Sequence, residues 1–157
     1  MKKYPLIFTF RDLIHGNGFV AGITMEGRVL LSEEPDGSFW MFGVQPGGLA
    51  DGGRDRDAAF RAFKNGYLSV LYDIAAEAPG FDLFRAEVEE LFCQVNEPNR
   101  SAWDLALADV RRTNASLPNL ERRFDAESRA PELQVVLVDT SKATPASNKF
   151  DEFSEAA

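Results

Sequence analysis

The sequence predicts an α+β fold: an antiparallel meander of about four strands, followed by helices packed on one face. Three observations predict it. Apolar and aromatic runs alternate with tight-turn signals up to residue 44. From about residue 55 the apolar residues fall three and four apart, the spacing of a helix. The chain has 157 residues, room for one core that buries roughly 70% of its unfolded surface, and a second full domain would be cramped.

The strands come first. Residues 4–10 (YPLIFTF) are apolar and aromatic, and HGNG at 15–18 turns the chain. Residues 19–25 (FVAGITM) read as a second strand, MEGR as another turn, and 28–33 (RVLLSE) as a third strand. PDG at 35–37 is a hairpin signal, since glycine accepts the positive φ of a tight turn. Residues 38–44 (SFWMFGV) form the fourth strand, apolar on both faces and therefore central. Short turns between successive strands imply antiparallel pairing.

The helices follow. Phe60, Phe63, Tyr67, Val70, Leu71 and Ile74 share one stripe, which is expected to bury Trp40 and Phe42 beneath it. APG at 78–80 ends that helix. A second helix runs over about 82–95, with Asp82 as N-cap and Phe84, Val88, Leu91, Phe92 and Val95 as its apolar face. A third begins at Ser101, with Asp104 three residues on as an imperfect capping box and Trp103, Leu107 and Val110 as a narrow seam. Residues 133–138 (LQVVLV) are a late strand. The expected domain spans 1–140, with additional helices over 81–112. Residues 141–157, small and polar, are expected to be a disordered tail.

Composition narrows the function. The formal net charge is −8, which suits a basic partner and not the phosphate backbone of a nucleic acid. One cysteine, Cys93, excludes an internal disulfide, and one histidine, His15, with one cysteine cannot supply an ordinary zinc site. Acids crowd Cys93 and oppose thiolate formation. No apolar run reaches signal-peptide or membrane-span length, so a cytoplasmic protein is the expectation.

The glycine-rich stretch QPGGLADGG at 45–53 asks whether it cradles a ligand. It fits neither phosphate-binding pattern: no lysine follows its glycines, and their spacing at 47, 48, 52 and 53 is wrong for a dinucleotide fold. Asp55 and Asp57 then sit at the positive end of the following helix, where they would repel a phosphate. The expectation is a connector with no cofactor, no metal and no catalytic residue. Asp51, Asp55 and Asp57 are the candidate partner-binding residues. An enzyme built on acids of this region, and a structural protein that homo-oligomerises through a sheet edge, stay open as alternatives.

Over residues 28–75 the chain resembles the N-terminal domain of HicB-type antitoxins. The resemblance rests on RVLLSEE, PDG, SFWMFGV, QPGG, ADGG and DRDAAFRAFKNGYLSVL, about a third of the chain. It implies a degenerate RNase H-like β-β-β-α unit that keeps no catalytic acids and binds a small basic RNA-cleaving toxin. The additional strands before residue 27 depart from the family pattern. So does the C-terminal half, which does not read as a DNA-binding segment.

Overall fold

The computed structural model describes residues 2–113 and 130–138. β1 (Lys2–Gly16) and β2 (Phe19–Glu33) form a long hairpin, and β3 (Phe39–Gln45) and β4 (Ala50–Gly53) complete an antiparallel meander. Three helices follow: α1 (Arg56–Glu77), α2 (Phe81–Cys93) and α3 (Glu97–Thr113). β5 (Glu132–Leu137) then returns to pair with β2. The chain therefore adopts the expected α+β class, a four-strand meander followed by helices packed against it.

Two of the four strands differ from expectation. The segments 19–25 and 28–33 are one strand, because β1 pairs with β2 without a break from Lys2↔Glu33 to Gly16↔Phe19. Gly27 makes no turn. A Cβ at Gly27 would lie 2.5 Å from the Gln45 carbonyl oxygen, so the position is glycine to admit the end of β3. The register with β3 shifts there, between Arg28 and Val29. The fourth strand of the meander is β4, which comes from the stretch read as a connector.

The hairpin turns follow their local chemistry. Between β2 and β3, Gly37 has φ of 87° and its N–H donates to the Glu34 carbonyl at 3.0 Å. The Ser38 hydroxyl and N–H both donate to Asp36 Oδ1, at 2.6 and 2.9 Å, and hold that carboxyl below its ordinary range. Asn17, at the tip of the β1–β2 hairpin, reaches across to α1. Its Nδ2 donates to the carbonyls of Ala76 and Ala78, two acceptors at the end of α1.

The larger core lies on one face of the sheet, against α1 and α2. β1 contributes Phe8, Phe10 and Ile14, β2 contributes Phe19, Ala21, Ile23, Met25, Val29 and Leu31, and β3 contributes Met41. The seam of α1 is Ala59, Phe63, Tyr67, Leu71 and Ala75, each four residues after the last. A four-residue step exceeds one turn by about 40°, so the seam winds around the helix and the sheet curls to follow it. Rings fill its middle: Phe8 meets Phe63 edge-on at 5.0 Å, and Phe10 meets Tyr67 at 4.9 Å. From α2, Phe84, Val88 and Phe92 are buried in the same core. Asp82 lies in its first turn, while Gly80 is the N-cap.

The expectation that Trp40 and Phe42 lie beneath α1 is corrected. Met41 faces that core, so its neighbours in the pleat face away: Trp40 is 40% exposed and Phe42 packs in the second cluster. Phe60 is likewise 43% exposed, off the winding seam.

α1 and α2 are the helices on the expected face; α3 lies on the other. There Leu30 and Val44 pack with Trp103 and Ala106, and Trp103 Nε1 donates to the Leu6 carbonyl at 3.3 Å. α3 begins four residues before Ser101. Asn96 Oδ1 accepts the Asn99 N–H at 3.0 Å as an N-cap, and Pro98 sits in the first turn, where a missing N–H costs nothing. The late strand forms as expected. The segment 141–157 lies outside the described residues.

The seam predicts unequal costs for two neighbouring phenylalanines. Phe63→Ala should destabilise by about 3–5 kcal/mol, and Phe60→Ala by only about 1 kcal/mol. Urea unfolding of both variants measures the difference, and equal losses would mean that the seam is misplaced.

Candidate functional site

The glycine-rich segment forms a clasp. Gln45–Pro46 is a cis peptide, and residues 45–49 fold back between β3 and β4, closed by Gly43 N–H to the Leu49 carbonyl at 2.8 Å. The α2–α3 connector lies directly against this loop. Gly47 N–H donates to the Gln94 carbonyl at 2.9 Å, and Asn96 N–H donates to the Val44 carbonyl at 3.0 Å. Asn99 Nδ2 adds a bond to the Gly43 carbonyl at 3.0 Å. A Cβ at Gly47 would stand 2.4 Å from the Asn96 nitrogen, so only glycine lets the two backbones meet. The Gly47 N–H, which a phosphate loop would turn towards its ligand, is already bonded to protein.

The three candidate acids occupy different positions along α1. Asp55 is its N-cap: Oδ1 accepts the Ala58 N–H at 2.7 Å. Asp57 is exposed in the first turn. Asp51, half-buried on β4, puts its carboxylate over Gly66, where a Cβ would lie 2.7 Å from Oδ2. Gly66 lies eleven residues beyond the Asp55 cap, about 16 Å along the helix axis. Asp51 meets the middle of α1 and Asp55 its start, so the two carboxylates do not converge. Among the described residues, no group of three or more His, Cys, Asp or Glu side chains is placed to hold a metal ion. Cys93 is exposed at the end of α2, and His15 is half-buried near the hairpin tip.

Two features were not read from the sequence. Beside the clasp lies a depression of about 330 Å³, bordered by Arg28, Gln45 and Arg100 with Val44, Val95 and Pro131. The Arg28 guanidinium stacks 4.6 Å over the Trp103 ring. An arginine inside an otherwise apolar strand was the available signal. The second feature is Tyr67, fully buried between Phe8 and Phe10, whose hydroxyl has no hydrogen-bond partner among the described residues. Burial pushes its phenol far above the ordinary value. Nothing in an apparent helix stripe distinguishes a tyrosine with a partner from one without.

Gly47→Ala should destabilise by about 1–3 kcal/mol, because the clasp must open to admit the methyl group. Asp55→Ala should cost about 1 kcal/mol as a lost N-cap, with Asp57→Ala well below it. Thermal or urea unfolding checks the order of the three, and a neutral Gly47→Ala would sink the clasp. Tyr67→Phe should leave stability unchanged or raise it by up to about 3 kcal/mol, since it removes a buried hydroxyl with no partner among the described residues. A loss above about 1 kcal/mol in the same assay would show that the hydroxyl is bonded in solution.

No helix of the described residues is long and apolar enough to cross a membrane. Comparison of the whole chain with protein-family models, with curated proteins and with solved structures found no match.

Proposed function

We propose that this protein is a non-catalytic protein-binding module of the kind its resemblance to HicB-type antitoxins implies, with a small basic RNA-cleaving toxin as partner. The observation that carries the reading is the charge on the outer side of the helices. Between Asp73 and Cys93 the exposed acids are Asp73, Glu77, Asp82, Glu87, Glu89 and Glu90, and the one cation in that span is Arg85. Arg85 lies 3.7 Å from Glu89, and both side chains are about half exposed. This surface would steer a cationic protein and disfavour nucleic acid. The order of elements over residues 28–75 also supports the reading: the second half of β2, then β3, β4 and α1, a β-β-β-α succession. Of the acids near the glycine loop, exposed Asp57 is placed to add to the attraction.

A second reading has its own observation. Val136, Leu137 and Val138 are 46–49% exposed at the end of β5, which pairs among the described residues with β2. An apolar edge of this kind suits a homo-oligomer joined strand to strand.

Capture from the source cell tests both. The full chain should recover a small basic protein at about 0.1 M salt. Recovery should fall towards 1 M, where the Debye length shortens from roughly 10 Å to about 3 Å. Recovery should also fall with Glu87→Gln, Glu89→Gln and Glu90→Gln combined. Self-association indifferent to salt, with no basic partner, would favour the β5 reading. RNA or DNA cleavage with Mg²⁺ that Asp51→Asn abolishes would overturn the non-catalytic claim.

A further inference from the structure

We propose that the depression beside the clasp binds a small free oxyanion, a phosphate or carboxylate group, held by Arg28 and Arg100. The site is independent of the protein-partner reading. In a chain of net charge −8, the lining carries two guanidinium groups and, among the described residues, no carboxylate. Both cations are positioned by the fold. Arg28 leaves β2 at the register shift with β3, on the face that α3 covers, and its guanidinium carbon lies 4.6 Å over the centre of the Trp103 ring. Arg100 stands on α3 one turn before Trp103 and enters the same depression.

The chemistry suits an anion. A guanidinium presents five N–H donors, so Arg28 can keep a protein acceptor and still offer bonds to a ligand. Arg100 has a neighbour in Glu97 at 3.7 Å, but these side chains are 54% and 69% exposed. Such a surface pair contributes little and leaves Arg100 able to turn to a better acceptor. Gln45 also lines the depression, and Val44, Val95 and Pro131 supply its apolar part. The volume of about 330 Å³ accepts a phosphate or a small carboxylic acid, and lies at the lower end of the roughly 300–1,000 Å³ of ligand pockets.

The test uses the full chain with Trp40→Phe, which leaves Trp103 as the single tryptophan. Inorganic phosphate and citrate are titrated in turn against sodium chloride at constant ionic strength, with Trp103 fluorescence and the thermal midpoint as readouts. The expected result is a saturable fluorescence change and a raised midpoint with at least one of the two anions. Arg100→Gln should weaken that response about tenfold or more, the loss of a charge-assisted contact. Arg85→Gln, the same change of charge on α2, should leave it intact. A response no different from chloride, one undiminished by Arg100→Gln, or one equally lost in Arg85→Gln would overturn the proposal. Failure to capture a basic protein would leave this site standing, and absence of an anion response would leave the partner reading standing.

Discussion

Two backbone hydrogen bonds decide where α3 goes. α2 packs on one face of the sheet and α3 on the other, and only Gln94–Asn96 connect them. A chain that passes so abruptly from one face to the other buries the carbonyls at the end of one helix and the N–H groups at the start of the next, and each needs a partner. Gly47 N–H meets the Gln94 carbonyl, and the Val44 carbonyl meets Asn96 N–H. The second cluster depends on this crossing. Without it Trp103 would not reach Leu30, Val44 and the Leu6 carbonyl, and Arg28 would lose the ring that orients it.

The clasp also explains the glycines. Glycine-rich loops between a strand and a helix invite a ligand reading because their N–H groups are accessible. Here close approach is needed by protein. Gly47 admits Asn96, and Gly27 admits the Gln45 carbonyl from the opposite side. The acids that follow have structural tasks in part: Asp55 closes the first turn of α1, and Asp51 covers the glycine at its middle. The exposed acids lie mostly further along, on the last turns of α1 and on the side of α2 away from buried Phe84, Val88 and Phe92.

What could be read from the sequence was what depends on near neighbours. Asp36–Gly37 and Asn17–Gly18 carry their turn chemistry within a few residues, and the change from strand to helix spacing near residue 55 is equally local. What could not be read depends on distant partners. Gly27 looks like a turn residue until the Gln45 carbonyl, eighteen positions away, is beside it. Alternation along β3 separates Met41 from Trp40, but it does not say which of them α1 will cover. The start of α3 was hidden because Pro98 reads as a breaker after α2, whereas in the first turn of the next helix it is harmless. The cavity is less accessible still, since Arg28, Gln45 and Arg100 meet only after the chain has crossed the sheet.

β2 shows why the domain resists division into a binding unit and additions. One of its edges pairs with β1 along the whole strand. Its other edge is shared: residues 28–33 pair with β3, and residues 21–26 pair with β5 from far along the chain. Gly27, where Gln45 presses in, is the junction between the two. A unit that begins at residue 28 therefore starts in the middle of a continuous strand. The backbone on its N-terminal side is already committed to β1 and β5, and the side chains of that half, Phe19, Ala21, Ile23 and Met25, complete the core beneath α1 and α2. The segment 28–75 alone would expose those apolar contacts and lose the pairing of β2 with β1 and β5, at a cost above the net stability of about 5–15 kcal/mol that a domain possesses. The surface of these helices is thus held by the full sheet, and residues 2–27 and 132–137 are part of its support.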